Sequence, residues 1–404
     1  MTSHGIRDRV AIVGLGCTNF GEHWDKSTDD LLVESSSAAL TSAGLSIDDV
    51  DAFWLGTMGS GLSGLTLSRP LKIHHKPVTR VENFCATGSE SLRNACYAVA
   101  SGAYDVAMAI GVEKLKDSGF SGLVIPPPAN DGTEPTLTAP AVFSLLVPAY
   151  ARKYGVDLHE LKQVLTHIAW KNHHNGALNT RAQYRKEVAK EVIARSPRVA
   201  GQLGIMDCSG VSDGSAAAIV VPAEHAHRYT DRPLFVKALS FVAGPASGPI
   251  DPGYDYTTFE EVTHSAADAY AQAGIRDPLA ELAMAEVHDC FTPTELVLME
   301  DLGFSERGVG WKDVLAGKFD LDGTFPVNPD GGLKSFGHPI GASGLRMLFE
   351  CWLQLRGEAG DRQIPGIGVA GGKTKALTHN LGGSPGSCVS FVSIVGTDLD
   401  DGQQ

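Results

Sequence analysis

Apolar and polar residues alternate along the chain in blocks that predict strands and helices in turn. Val10 to Gly16 is an uninterrupted apolar run, which is typical of a buried strand, and Asp29 to Ala43 has helical spacing. Ala52 to Met58 predicts a second strand. A helix from Cys85 to Ser101 and an apolar strand from Asp105 to Glu113 follow. This order indicates an α/β fold built on a mostly parallel sheet covered by helices.

The same pattern returns in the second half of the chain. The predicted elements are strands at 215–223 and 234–243, a helix at 260–273, a strand at 283–290, helices at 292–302 and 342–356, and apolar segments at 376–381 and 388–395. This half loosely repeats the first, and each half has a reactive residue shortly before a helix. The intervening segment from 114 to 199 differs, since Pro126-Pro127-Pro128 and Asn130-Asp131-Gly132 indicate irregular chain.

Composition limits the class of protein. The 404 residues are 43% apolar and 20% charged, enough to bury a sizeable core in two domains or one large double unit. A net charge of −14 argues against nucleic-acid binding. No apolar run reaches the ~20 residues of a membrane span, and the N-terminus lacks the apolar core of a signal peptide. Seven scattered cysteines indicate reduced thiols, so we expect a cytoplasmic protein without a membrane span.

The segment from 151 to 200 is basic within this acidic protein. It contains ten Lys/Arg against four Asp/Glu, a local balance of +6. One interpretation is a solvated helical face, which is the usual meaning of a run of charges. The other is a docking surface for an anionic substrate.

Three motifs imitate known binding sites. Gly59-Ser60-Gly61-Leu62-Ser63-Gly64 matches the dinucleotide fingerprint, but we expect no helix after it because the chain continues into Ser68-Arg69-Pro70. Gly372-Lys373-Thr374 resembles the end of a P-loop, whose first glycine would fall at Ile367. His173-His174 has no carboxylate or thiol at ligand spacing, so no metal site is predicted.

Cys85 has the clearest chemical meaning. It lies in Val-Glu-Asn-Phe-Cys-Ala-Thr-Gly-Ser-Glu-Ser, where small polar residues surround a lone thiol at the start of a predicted helix. The positive end of the helix dipole is expected to favour the thiolate. Far along the chain lie His288-Asp289-Cys290-Phe291 and Gly337-His338-Pro339-Ile340-Gly341. A cysteine with distant histidine partners is what nucleophilic acyl transfer requires.

Each signal also has a structural explanation. A free cysteine is often a small buried hydrophobe, and His288 could be a hydrogen-bonded core residue. The segment from Gly337 to Gly344 could be a tight strand-to-helix turn. Their occurrence together, in this order, favours a catalytic site.

These segments resemble the thiolase superfamily, and within it the sterol-carrier-protein-2-type thiolases. The matching stretches are Val81 to Leu92, Asp207 to Ala217, His288 to Phe291, Asn328 to Leu333 running into Gly337 to Gly344, and His379 to Gly383. They keep the family order over essentially the whole chain.

The resemblance implies an α/β, thiolase-like duplicated fold with a five-layered α-β-α-β-α core. Residues 1–113 plus 204–231 would form the N-terminal half, 114–203 an inserted loop domain that binds coenzyme A or substrate, and 232–404 the C-terminal half. Coenzyme A is the implied substrate and product, with no covalently bound cofactor. Since coenzyme A is rich in phosphate, the basic residues within 151–200 are the expected binding surface. A homodimer or homotetramer is also implied.

Catalytic roles follow from the same resemblance. Cys85 resembles the nucleophile that takes the acyl group, His338 the base that takes its proton, and Cys290 the acid/base cysteine. His288 and His338 would together donate to the thioester oxygen where enolate charge develops. Backbone N–H groups of Cys85 and Gly382 would hold the oxyanion of the tetrahedral intermediate.

The other cysteines have different expectations. Most thiolases carry the acid/base cysteine where this chain has Asn380, whereas the sterol-carrier type places it in His-Asp-Cys-Phe, as here. Cys208 belongs to a family turn motif and is expected to pack in the core. Four further cysteines are expected to be packing residues: Cys17, Cys96, Cys351 and Cys388.

The expected reaction converts acyl-CoA plus acetyl-CoA reversibly into 3-ketoacyl-CoA plus CoA through an acyl-cysteine. One alternative is an aldol-type lyase, or an acyltransferase to a non-CoA acceptor, working with a small zinc-ribbon/OB-fold partner. Another is a non-catalytic scaffold with the same fold. Retention of four reactive side chains favours the thiolase reaction. The loop from Ser118 to Ala141 is the expected lining of the acyl tunnel.

Overall fold

The computed structural model describes residues 3–117 and 138–400, so most of the predicted tunnel loop at 118–141 lies outside the described residues. The strands are β1 (Val10–Cys17), β2 (Ala52–Gly56), β3 (Val78–Val81), β4 (Ala107–Glu113), β5 (Arg198–Ala200), β6 (Leu203–Gly204), β7 (Gly214–Pro222), β8 (Leu234–Ala243), β9 (Leu282–Glu286), β10 (Lys375–Ser384) and β11 (Ser387–Gly396). The helices are α1 (Thr28–Ala43), α2 (Leu65–Leu71), α3 (Thr87–Ala100), α4 (Ala139–Phe143), α5 (Leu146–Tyr154), α6 (Leu158–Ala177), α7 (Lys190–Ala194), α8 (Glu260–Ala273), α9 (Pro278–Glu281), α10 (Thr292–Asp301), α11 (Gly310–Leu315), α12 (Gly332–Ser335) and α13 (Ser343–Leu355).

Nine of these strands pair in the order β3-β2-β4-β7-β1-β8-β11-β10-β9. In the first half β2 pairs in parallel with β3 and β4, and β7 runs antiparallel to β4 and β1. In the second half β10 is parallel to β9, and β11 is antiparallel to β10 and β8. The halves join through β1 and β8, where Ala11 and Ile12 pair with Phe235 and Leu234. The sheet is therefore mixed, and the expectation of a mostly parallel sheet was wrong, because β7, β8 and β11 run antiparallel to their neighbours. The short junction between β1 and β8 makes the sheet continuous.

Helices and the two half-sheets alternate in layers. Helix α1 packs on one face of the first half-sheet, and α3 and α13 contact each other and lie against both half-sheets. Helix α8 covers the second half-sheet, with α5, α6 and α10 in the same apolar cluster. Every residue of β1 and β4 is buried, as strands covered on both faces require. The predicted α/β class and thiolase-like layering are confirmed, while the domain boundaries stay a prediction.

One local prediction was wrong. Helix α2 follows the glycine-rich segment at 59–64, where no helix was expected. Pro70 lies in its last turn, where the lost backbone N–H affects only a short helix that buries Leu67 alone. The glycine at 64 serves packing, since a Cβ there would lie 2.5 Å from the carbonyl oxygen of Val78.

Within the described ranges, no helix combines the length and the apolar character that a bilayer crossing requires.

Candidate active site

Cys85 lies in a tight turn between β3 and α3. Phe84, just before it, has a φ of 49°, in the left-handed region that a bulky side chain rarely adopts. The hydroxyl of Thr87, the first residue of α3, accepts from the N–H of Asn83 at 2.8 Å and donates to the carbonyl of Phe84 at 2.5 Å. These bonds hold the strained turn and place the thiol just before the helix.

The expectation that Cys85 rests as a thiolate was wrong. Burial raises the pKa of Cys85 to about 12, and the carboxylates of Glu82 and Glu113 raise it further. The desolvation of a charged sulfur therefore outweighs the helix dipole in the free protein. Cys85 rests as a neutral thiol and needs a base to become a nucleophile.

His338 is held in the form that a base requires. Its backbone N–H donates to the hydroxyl of Ser212 at 3.0 Å, and its Nδ1 lies 2.7 Å from the hydroxyl of Ser343. That hydroxyl donates its own proton to the carbonyl of Pro339 at 3.0 Å, so Nδ1 carries the proton of the imidazole. Nε2 is then the bare nitrogen, and it is buried without a hydrogen-bond partner among the described residues.

Three of the predicted residues converge on one point. The Sγ of Cys85 and one ring nitrogen each of His288 and His338 all lie within 4.8 Å of one another. The two imidazole rings have centroids 5.4 Å apart and meet edge to face. Burial lowers the pKa of His338 to about 3 and lowers that of His288 well below its usual value. Both rings are neutral at physiological pH, so either can accept a proton.

Cys290 lies beside this group. Its side chain is buried, its Sγ is 3.9 Å from the hydroxyl of Thr294, and its carbonyl accepts from the N–H of Ser209 at 2.8 Å. Burial raises the pKa of Cys290 well above its usual value, and the nearby Cys85 raises it next. Cys290 is therefore a protonated thiol adjacent to Cys85, a suitable proton donor.

Gly382 lies on β10 against the nucleophile turn. A Cβ at this position would collide with the carbonyl oxygen of Asn83, so only glycine lets β10 approach Cys85 so closely. Two residues earlier, the side-chain oxygen of Asn380 accepts from the hydroxyl of Ser89 on α3 at 2.5 Å. This hydrogen bond links β10 to α3, the helix that follows Cys85.

A buried polar network supports the catalytic loop. Asp289 accepts from the backbone N–H groups of Leu333 at 2.6 Å and Lys334 at 3.1 Å. One side-chain nitrogen of Asn172 on α6 donates to both Asp289 at 2.7 Å and Glu295 at 2.8 Å. Burial, and then Glu295, raises the pKa of Asp289 to about 7. Sequence reasoning missed Asn172, because its position in a long amphipathic helix gives no chemical signal.

A cavity of about 830 Å³ adjoins these residues. Its lining includes Ile205, Met206 and the segment 208–211, which touches the catalytic loops through backbone bridges from Val211 to His338 and from Cys208 to Phe291. Cys208 was expected to pack in the core, but it is only half-buried and lines this cavity, although it also contacts the core cluster. The four packing cysteines are buried and free, as expected.

The basic residues of the segment 151–200 lie in different surroundings. Three of its lysines are held in ion pairs: Lys153 with Asp255, Lys162 with Asp207, and Lys171 with Glu295. Arg185 and Lys186 are exposed and line the cavity, together with Lys116, which follows β4 and is paired with Glu22 at 2.7 Å. Arg152, Arg195 and Arg198 are exposed outside the cavity lining, so the interpretation of 151–200 as a docking surface stays a prediction.

The convergence of one thiol and two imidazoles also has the donor set and spacing that zinc prefers. Because Nδ1 of His338 is already used by Ser343, only Nε2 of that ring would be available to an ion. The expectation that this protein uses no metal stays a prediction.

The low pKa of His338 has a measurable consequence. A base with an ordinary histidine pKa of about 6.5 loses its active form as the pH falls below that value. Since burial lowers the pKa of His338 to about 3, its neutral form persists through mildly acidic pH. We expect kcat/KM for acylation of Cys85 at pH 5.5 to stay within about twofold of its value at pH 7.5. A tenfold fall with an apparent pKa near 6.5 would contradict this assignment.

Comparison with known proteins gives the same picture over nearly the whole chain. Residues 10–224 match the family described as "Thiolase, N-terminal domain", and residues 250–394 match "Thiolase C-terminal domain-like". The chain is 36% identical to an acetyl-CoA acetyltransferase of Methanothermobacter thermautotrophicus, covering 96% of this chain and 99% of the relative. It is 32% identical to sterol carrier protein 2 of Bos taurus, covering 93% of this chain and 70% of the relative.

Among solved structures, the fold is similar to one named "Ltp2-ChsH2(DUF35) aldolase", with a TM-score of 0.80 at 24% identity over 97% of this chain and 99% of that one. These findings confirm the resemblance inferred from the sequence and the expected acyltransferase class. The chain belongs to the thiolase family.

Proposed function

We propose that this protein transfers acyl groups between coenzyme A thioesters through an acyl-cysteine at Cys85. The observation that carries the proposal is the convergence of Cys85, His288 and His338 within 4.8 Å, with Cys290 alongside. The names of the archaeal relatives, acetyl-CoA acetyltransferases, support acetyl-CoA as one substrate. Residues brought together from three distant parts of the chain form a nucleophile, a base and a proton donor.

In the first step, Nε2 of His338 takes the proton of Cys85 as the sulfur attacks the thioester carbon. The tetrahedral intermediate collapses, the bond to the coenzyme A sulfur breaks, and His338 returns the proton to that sulfur. The acyl group is left on Cys85 and free coenzyme A departs. Backbone N–H groups of Cys85 and Gly382 are the proposed donors to the oxyanion.

In the second step, Cys290 handles the α-proton. In synthesis the Cys290 thiol first gives its own proton to the free Nε2 of His338, and the resulting thiolate removes the α-proton from a second acetyl-CoA. The carbanion attacks the acyl carbon on Cys85 to form the carbon–carbon bond, the bond from that carbon to the Cys85 sulfur breaks, and the sulfur recovers its proton from His338. In degradation the reverse sequence applies, and the Cys290 thiol protonates the leaving enolate. The Nε2–H that His338 then carries would donate to the enolate oxygen, together with His288. The neutral resting state of Cys290 is the form required for the degradative step.

The cavity beside the catalytic residues is the proposed coenzyme A site. Exposed Arg185 and Lys186 provide cations at its rim for the phosphates of the ligand. This assignment replaces the wider basic surface at 151–200 with specific residues.

Acylation of Cys85 tests the proposal directly. The full chain is incubated with acetyl-CoA, quenched in acid, digested and analysed by mass spectrometry. We expect an acetyl group on the peptide that contains Cys85, and none after Cys85→Ala. A folded wild-type protein that acquires no acetyl group at Cys85 would overturn the proposal.

One observation favours the aldol-type alternative. A solved structure with a similar fold is named an aldolase with a DUF35 component. At 24% identity that likeness shows the fold alone. The assembled Cys85, His338 and Cys290 favour acyl transfer, because an aldol lyase needs no acyl-cysteine. A retro-aldol activity on a CoA thioester that survives Cys85→Ala would favour the lyase. A small partner protein, a homo-oligomeric state and a cytoplasmic location stay predictions.

A further inference from the structure

Lys334 is a buried cation that the proposed reaction does not use. It lies on α12, its side chain is only 3% exposed, and it lines the cavity. In the described part of the chain, its Nζ has no hydrogen-bonding or ion-pairing partner, and it lies 5.6 Å from the centroid of the Tyr184 ring. A buried ammonium without an acceptor is costly unless a ligand supplies one.

His173 faces the same cavity and is equally unusual. It is 3% exposed, and neither of its ring nitrogens has a hydrogen-bond partner among the described residues. Its ring centroid lies 6.0 Å from that of Tyr184, the residue that also contacts Lys334. Burial lowers the pKa of His173 to about 3, and Lys334 lowers it further, so the imidazole is neutral. Lys334 and His173 thus both line this cavity without a hydrogen-bond partner for their side-chain nitrogens among the described residues.

The surroundings of Lys334 favour an anion. In the described part of the chain, the cavity lining contains four Lys/Arg and no Asp or Glu, in a protein with a net charge of −14. Burial lowers the pKa of Lys334 to about 8, and Cys208, Asp289 and Asp207 oppose this effect. The ammonium therefore remains the main form at pH 7.

The position of Lys334 distinguishes it from the rim cations. Its backbone N–H donates to Asp289, which lies between His288 and Cys290, and it precedes His338 by four residues. It is thus close in structure to the residues that handle the acyl group. Arg185 and Lys186 differ from it in being exposed at the solvent side of the same cavity, where they are the cations proposed for the phosphates of coenzyme A.

We propose that Lys334 and His173 form a subsite for a carboxylate carried at the far end of the acyl chain. The preferred acyl group would then be a dicarboxylic half-thioester. Lys334 supplies the charge and His173 a neutral N–H donor to the second carboxylate oxygen. The proposal rests on the proposed function for the acyl-CoA class of ligand and goes beyond it in naming the acyl group.

Matched ligand pairs test this subsite. Binding is measured by calorimetry in the full chain carrying Cys85→Ala, so that no covalent step interferes. The ligands are succinyl-, glutaryl- and adipyl-CoA, each compared with its neutral counterpart, butyryl-, valeryl- or hexanoyl-CoA. We expect one acid of the series to bind roughly 100-fold more tightly than its neutral counterpart, as a charged hydrogen bond allows. Adding Lys334→Met should reduce that ratio to about one.

Two further variants separate the subsite from other roles. Lys186→Met at the rim should weaken both members of a pair equally and leave their ratio unchanged. His173→Phe should lower the ratio less than Lys334→Met does, and it provides an independent test if the lysine variant does not fold.

Equal binding within every pair by the wild-type site would overturn the inference while leaving the proposed acyl transfer intact. An unchanged ratio in folded Lys334→Met would do the same, since the lysine would then contact a part common to all the ligands. Failure of every acyl-CoA to bind would overturn both proposals.

Discussion

Cys290→Ala should abolish carbon–carbon bond formation while leaving acylation of Cys85 nearly intact. In the proposed mechanism Cys290 acts only on the α-proton, whereas His338 and Cys85 complete the first half-reaction without it. Loss of a positioned acid/base typically costs ~10²–10⁴-fold in rate. We therefore expect acetoacetyl-CoA synthesis to fall by about 10³-fold, with a normal acetyl label on Cys85 measured by mass spectrometry.

A buried cysteine remote from the site provides the matched control. Cys96 lies on α3, nine residues after Thr87, and has no exposed surface, so Cys96→Ala also removes a buried thiol. It should leave both half-reactions near wild-type rates. If Cys290→Ala reduces acylation and condensation by the same factor, the separate role proposed for this thiol is wrong.

Arg346→Met should destabilise the protein by about 3–5 kcal/mol. Arg346 lies on α13 with no exposed surface, and its guanidinium bonds Glu286 and Asp330 at 2.6 Å each, both also fully buried. Burial raises the pKa of Glu286 well above its usual value, and the charge of Asp330 raises it next, while Arg346 opposes both effects. Without the arginine, two buried carboxylates would face each other with no cation between them.

The destabilisation should depend on pH in a defined direction. In the variant Arg346 no longer lowers the pKa of Glu286, so the folded-state pKa of this carboxyl rises further above its unfolded value and the folded protein binds more protons than the unfolded chain. Stability then falls as the pH rises above the unfolded value. We expect a larger loss at pH 8 than at pH 5, measured by urea denaturation at fixed protein concentration.

Arg356, at the end of the same helix, is the control for this prediction. It pairs with Glu358 near the surface and packs on the ring of Trp352. Arg356→Met should cost about 1 kcal/mol or less, as surface ion pairs do. Equal effects from the two substitutions would show that the buried triad contributes little to stability.

The sequence predicted strands and helices well where their hydrophobic pattern was strong. β8 and α8 have the predicted bounds, because each is a long periodic segment that ends at a clear break. α2 was missed since its seven residues include a proline and bury one leucine. α6 was also not predicted as an element, because half of its polar residues are buried in contacts with other parts of the chain. Such contacts leave no periodic pattern in a single sequence.

The residues of the candidate site were predicted from sequence motifs, but the pKa shifts of their side chains were not. The structure brings Cys85, His288 and His338 together as the motifs indicated. The thiolate expected at Cys85 was wrong, because the helix dipole can be read from the sequence whereas desolvation depends on the whole fold. Lys334 lies between two of the stretches that resemble the family, and its burial without a partner is visible only in three dimensions.

The two bonds from Asn172 have a practical consequence for protein engineering. Because one amide nitrogen fastens helix α6 to both Asp289 and Glu295, an insert exchanged between relatives carries part of the support for the second half with it. A chimera that swaps the region 138–203 for a homologous one should keep its condensation chemistry only if the incoming helix offers an amide at this position. Exchange of specificity between such enzymes therefore has to be planned around this contact.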